Sequence, residues 1–319
     1  MSTFNREELR IIFRNHPLPE ETVSSLLNQH VYPDARSWKK FLRIGVLSLG
    51  CGFMLAGIVM FFAYNWDALH RFVKLGLIEL VIVASTVVGV MIRQDSNIKN
   101  TILTAAAVLV GVLYAVFGQI YQTGANAYDF FLGWTMIISL WVLVSGFAPL
   151  WTIYLILVNT TIFLYADQLA PQWQAVTVFT ILFVINTAVL LLFAWLARRS
   201  FARVPEWFLG ILSLTVVTYA TMGISAGIHD SYDSAFLILC SLSFLAYLYA
   251  LRHAFAIRKT FLISIISFSI IVIICSALLK QSDGYEIFLL TAIFIITAVS
   301  VTIHHLIRLN KKWGGSQHA

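Results

Sequence analysis

Glu79 is the one acidic residue set well inside an apolar run, the stretch from Phe72 to Ile92. It stands seven residues into that run, roughly 10 Å along a helix at about 1.5 Å per residue. An ionised carboxylate at such depth costs on the order of 2.5 kcal/mol or more if it faces lipid. It is therefore expected to face a bundle interior, where a carboxylate serves a proton relay, a pathway or a ligand site. Gly76, Val83 and Thr86 share its helical face. An ion pair with Lys74 or Arg71, or a hydrogen bond that fixes helix packing, is the structural alternative.

Two polar-aromatic clusters are the next candidates. One is Phe61-Phe62-Ala63-Tyr64-Asn65-Trp66-Asp67 and the other is Gly118-Gln119-Ile120-Tyr121-Gln122. Each closes an apolar run, and the two runs cross in the same direction, so both clusters fall at one membrane face. Trp66 and Tyr121 suit an aromatic belt at the headgroup level. Asn65, Asp67, Gln119 and Gln122 add hydrogen-bonding groups that a belt does not need, and buried amides require partners. A polar pocket at the outer ends of the first and third helices is thus the functional reading, with the belt as its alternative.

Other polar residues carry less. Asn159 and Asn186 sit near the middle of neighbouring antiparallel runs and are expected to bond each other as helix-helix glue. His304 and His305 stand beside Arg308, Lys311 and Lys312 with no cysteine or carboxylate at ligand spacing, which argues against a metal. Cys51, Cys240 and Cys275 are isolated within apolar runs, so no disulfide framework is expected. No phosphate-binding loop, dinucleotide fingerprint, zinc-protease motif or serine-hydrolase elbow occurs. No cofactor is implied.

The elements that must position these residues follow from composition. Of 319 residues, 60% are hydrophobic and only 11% charged, against roughly 25% charged in soluble domains. Apolar runs of about 20 residues, each able to cross roughly 30 Å of hydrocarbon, account for this. Ten such spans are expected. They are Ile44 to Asn65, Phe72 to Ile92, Thr101 to Tyr121, Phe130 to Phe147, Leu150 to Ala166, Ala175 to Ala197, Trp207 to Ile228, Ala235 to Leu251, Thr260 to Leu279 and Ile287 to Leu306. The fourth and fifth are short and separated only by Ala148-Pro149, so they read either as two helices or as one kinked hairpin. The eighth is also short. Small residues at Ala107, Gly111 and Ala115, in line with Gln119, and at Gly45, Gly52, Ala56 and Ala63 predict that the first and third helices pack tightly.

The charges divide sharply between the two faces. With the N-terminus inside, 18 of the 21 Lys and Arg residues fall on the cytoplasmic side, and only Arg71, Lys74 and Lys280 fall outside. The positive-inside rule then places both termini in the cytoplasm. The net charge of +6 is accounted for by this orientation signal, and no nucleic-acid partner is expected. Residues 1–43 read as a charged cytoplasmic prefix of short helices, without a cleavable signal peptide. Trp38, Lys39, Lys40 and Arg43 form a basic, aromatic collar at its end. Residues 44–307 form the all-α bundle and residues 308–319 a short cytoplasmic tail.

The ending Ala63-Tyr64-Asn65-Trp66, the ending Gly118-Gln119-Ile120-Tyr121 and the charged helical prefix together resemble the domain-of-unknown-function family 2157 of predicted bacterial membrane proteins. The resemblance covers roughly Phe4 to Phe147 and implies a multi-span protein of the bacterial inner membrane, without implying an activity. Three function classes follow. The first is a transporter or permease for a small solute or a lipid-linked molecule, suggested by ten spans and Glu79. The second is a membrane enzyme acting at the outer face through Asp67, Asp129 and the amide clusters. The third is a scaffold or sensor that uses residues 1–43 as a handle for a protein partner, with lipids as the constant surroundings.

Overall fold

Hydrocarbon offers no partner to a bare backbone amide or carbonyl, so each apolar run must satisfy its own polar groups as a helix. The computed structural model describes residues 35–64, 70–92, 96–121, 124, 126–199, 204–230, 234–280 and 284–315. Among these residues there are ten helices and no strand. They are α1 (Ala35–Tyr64), α2 (Arg71–Met91), α3 (Ser96–Tyr121), α4 (Ala127–Ser145) and α5 (Ala148–Gln168). The remainder are α6 (Ala175–Arg198), α7 (Glu206–His229), α8 (Ser234–Ile257), α9 (Thr260–Lys280) and α10 (Tyr285–Gly315). All ten are long and apolar enough to cross a membrane. Even α4, with 19 residues, reaches about 28 Å at 1.5 Å per residue. The outward apolar surface agrees: Val144 is 81% exposed and Phe53 75%, which a bilayer accommodates and water does not.

The chain divides into two compact units, residues 1–123 and 124–319. In the first, α3 is the centre, and both α1 and α2 pack against it. α3 buries Leu103, Ala106, Ala107, Leu109, Val110, Gly111 and Val116, while α2 buries Lys74, Ile78, Ile82 and Gly89. Gly89 admits the closest approach: a Cβ there would lie 3.0 Å from Leu103 Cδ2. The tight packing expected of α1 is not found in this unit. Nothing lies within 4 Å of a Cβ built at Gly45 or Gly52, and Ala56 is exposed. Instead α1 is half-buried along Leu47, Cys51, Leu55 and Ile58. Larger side chains at helical spacing thus replace the small ones as its contact stripe. On α3, Ala107 and Gly111 are buried as expected, whereas Ala115 and Gln119 are exposed.

The second unit is built around α7, which packs against α6, α8 and α9. Gly223 and Gly227 make this possible. A Cβ on Gly223 would lie 2.5 Å from Leu239 Cδ2 and 2.8 Å from Phe179 Cβ, and one on Gly227 would strike the Phe236 ring. Lipid is as apolar as leucine, so close approach of this kind, rather than exclusion of water, holds helices together. The surrounding core comprises Val176, Phe183, Val216, Ala220, Ile224, Ile228, Phe236 and Leu239. Toward the other end of α7, Phe193 contacts Trp151 edge-on at 5.1 Å and Phe208 at 5.0 Å between ring centroids.

The fourth and fifth spans are two separate helices. α4 ends on Gly146, whose φ of 55° is the left-handed conformation that glycine adopts without strain. Phe147 caps α5, and Pro149 falls in its first turn, where a missing N–H is harmless. α8 continues through Arg252 and His253 to Ile257, past the apolar run that marks it. Arg258, with φ of 54°, closes it.

Candidate functional site

Thr221, Ser225 and His229 recur every fourth residue along α7 and so lie on one face. Ser269 and Ser276, seven apart, face them from α9, and Tyr247 reaches in from α8. Ser269 is the hub: its Oγ lies 2.6 Å from Thr221 Oγ1 and 2.7 Å from Tyr247 Oη. The direction of these bonds follows from proton bookkeeping. Thr221 donates its one hydroxyl proton to the Val217 carbonyl at 2.7 Å. Ser269 must then donate to Thr221, and Tyr247 to Ser269. The result is a directed chain, tyrosine to serine to threonine to backbone, joining three helices through a nearly buried Ser269.

The same face leads to the helix ends. Thr221 stands eight residues, about 12 Å, from His229 at the last turn of α7. His229 Nδ1 lies 3.0 Å from the Ser225 carbonyl and 3.4 Å from Ser276 Oγ. A carbonyl only accepts, so the first contact places the proton on Nδ1. Beside this lane, the hydroxyls of Ser225 on α7 and Ser243 on α8 are buried and have no partner among the described residues. Thr187 on α6 and Thr291 on α10 share that condition. A buried hydroxyl left unpaired costs about 1 to 3 kcal/mol. These are neutral donors and acceptors, suited to a polar, uncharged guest.

A second polar contact lies between α5 and α6. Asn159 Nδ2 donates to Asn186 Oδ1 at 3.2 Å and Asn186 Nδ2 donates back to Asn159 Oδ1 at 2.7 Å. Asn186 also donates to the Leu182 carbonyl at 2.8 Å. The pairing expected from the two mid-span amides is therefore present, and it leaves little capacity for a ligand.

The other sequence candidates are dispersed. Glu79 is exposed on the first unit. One residue on from Ile78, it is turned about 100° from the line of Lys74, Ile78 and Ile82 that meets α3. Within that unit, then, the carboxylate lies on the exposed face and not in the expected interior, whereas Lys74, five residues earlier, is buried. Gln119 and Tyr121 are exposed on the last turn of α3, where the Tyr121 ring lies 4.6 Å from that of Phe117. Asn65, Trp66, Asp67 and Gln122 lie outside the described residues. Asp129 accepts a bond from the Asn126 amide at 3.1 Å, closing a capping box at the start of α4, a structural duty. His304 and His305 are exposed, the three cysteines are free, and among the described residues no three His, Cys, Asp or Glu side chains gather as a metal site.

Residues 14–151 match the model of a family described as Predicted membrane protein (DUF2157). The matched stretch runs through α1, α2, α3 and α4 into the first turn of α5. No curated protein and no solved structure matches the chain. The hydroxyl lane of α7, α8 and α9 falls outside the matched residues.

Proposed function

We propose that this multi-pass membrane protein is a permease-type transporter for a small polar solute, with the hydroxyl lane of α7, α8 and α9 as part of its path. The observation that carries this reading is the Tyr247–Ser269–Thr221 chain flanked by the unpartnered hydroxyls of Ser225 and Ser243. Paired polar groups can serve a scaffold as helix-helix glue, but the hydroxyls of Ser225 and Ser243, without a partner among the described residues, add nothing to packing. A visiting solute with hydroxyl or amide groups would satisfy them in passing. Glu79, Asn65, Trp66, Asp67, Gln119 and Tyr121 remain proposed pathway or ligand residues of the first unit, and residues 1–43 a proposed handle for a protein partner.

The test is solute uptake by proteoliposomes holding the full chain, followed by light scattering after osmotic shrinkage, with a panel of small neutral polyols and amides. Reswelling above that of protein-free vesicles is expected for at least one solute, slowed in Ser269→Val and Tyr247→Phe. Reswelling indistinguishable from protein-free vesicles across the panel would sink the proposal.

We further propose that the protein lies in a bacterial inner membrane with both termini in the cytoplasm. The one-sided distribution of 18 of its 21 Lys and Arg residues supports this orientation. Cysteines introduced at Asn126 and Ser231, in a cysteine-free background, should react with an impermeant thiol reagent on intact cells, and one at Ser200 should not. Labelling at Ser200 with silence at the other two would reverse the orientation.

A further inference from the structure

The first unit contains a cavity of about 350 Å³ between the beginning of α1 and the beginning of α3. One helical face of α1 lines it in two tiers. Lys39, Lys40 and Arg43 form the upper tier, and Ile44 and Leu47 lie below them. From Arg43 to Leu47 is one helical turn, about 6 Å of depth. The opposite wall is the first turn and a half of α3, including Asn97 and Thr101. Thr101 spends its hydroxyl proton on the Asn97 carbonyl at 2.8 Å. The positive charge lining the cavity comes from Lys39 and Lys40, from Arg43, which also holds a partner of its own, and from the positive end of the α3 dipole. Among the described residues that line it there is no carboxylate.

We propose that this cavity seats the phosphate-ester headgroup of an anionic glycerophospholipid. Charge alone would suit any phosphate, but the tiers are more selective. Cations above an apolar floor reproduce the order of a lipid, phosphate first and acyl chains beneath. The depth agrees as well. Trp38, exposed at the same end of α1 and in edge contact with Phe41 at 5.8 Å, is a side chain that settles at the headgroup level. Basic pockets between helix ends are suited to acidic headgroups. The site is independent of the transport reading and stands on other residues.

The experiment uses the full chain, delipidated in a neutral detergent, with binding read by native mass spectrometry. The probes are phosphatidylglycerol, phosphatidylcholine and inorganic phosphate. Phosphatidylglycerol should be retained and phosphatidylcholine should not. The Lys39→Gln/Lys40→Gln/Arg43→Gln variant should bind phosphatidylglycerol about a hundredfold more weakly, at roughly one tenfold step or less per cation. A control that removes equal charge elsewhere, Arg308→Gln/Lys311→Gln/Lys312→Gln on α10, should change binding less than about twofold if the site is local. Equal losses in the two triples would mean diffuse attraction and overturn the site. Inorganic phosphate that binds as tightly and displaces phosphatidylglycerol would overturn the lipid assignment. If the first triple does not fold, Lys39→Gln/Lys40→Gln carries the test: a loss that Lys39→Arg/Lys40→Arg largely restores supports the site, and unchanged binding refutes it.

Discussion

The two units use glycine in opposite ways. In the first, Gly45, Gly50, Gly52 and Gly57 of α1 face open space, with nothing within 4 Å of a Cβ built on any of them. In the second, Gly223 and Gly227 of α7 are wedged against Phe179, Val176, Phe236 and Leu239 of the flanking helices. Glycine spacing by itself therefore does not mark a tight helix pair. What marks one is glycine at four-residue spacing opposite bulky side chains that fill the notch it leaves. The units differ in polarity too. The hydroxyl chain and the reciprocal amides belong to the second, whereas the first gathers Lys39, Lys40, Arg43 and Asn97 around one cavity near helix ends.

The largest expected effect tests that contrast directly. Gly227→Leu should destabilise the protein by about 3 kcal/mol or more, the upper range for overpacking, because the Phe236 ring occupies the space a side chain needs. Gly52→Leu on α1 should stay within about 0.5 kcal/mol. Reversible unfolding in mixed detergent, followed by circular dichroism, measures both, and similar losses would erase the distinction. An intermediate effect belongs to the amide pair. Asn186→Leu strands the Asn159 side chain and should cost about 1 to 2 kcal/mol, with a double-mutant coupling to Asn159→Leu of roughly 0.6 to 1.7 kcal/mol. Additive single-mutant losses would show that the two amides act separately. The smallest is Glu79→Gln, expected to shift stability by less than about 0.5 kcal/mol since the side chain is exposed on its unit. A loss several times greater in the same unfolding assay would show that it meets a partner there.

Much of the architecture is legible from the chain, because hydrocarbon thickness sets one length for every span and charge punctuates the gaps. The boundary between α4 and α5 is harder to see, as no charge interrupts it and Gly146 and Pro149 suit a kink as well as a turn. The Asn159–Asn186 pair is legible because an amide at mid-span must find a partner. The Tyr247–Ser269–Thr221 chain is not, since hydroxyls bond their own helix four residues back, as Thr221 does to Val217, and so fit any face. The surroundings of Glu79 are hard to read for a related reason. Cost arguments say that a carboxylate needs polar company, but not which element supplies it. The Gly223-x-x-x-Gly227 spacing is a signal that the sequence does carry.

The α4–α5 hairpin has a consequence for how the protein is made. Its two helices are joined by only Gly146 and Phe147. At the open end the Tyr128 amide donates to Gln168 Oε1 at 3.0 Å, with the Tyr128 and Tyr165 rings 5.3 Å apart. A connection this short spans about 7 Å when fully extended, far less than a bilayer, so neither helix can wait on the far side while the other is synthesised. The pair must therefore enter the lipid as one pre-closed unit. No lysine or arginine stands at its turn.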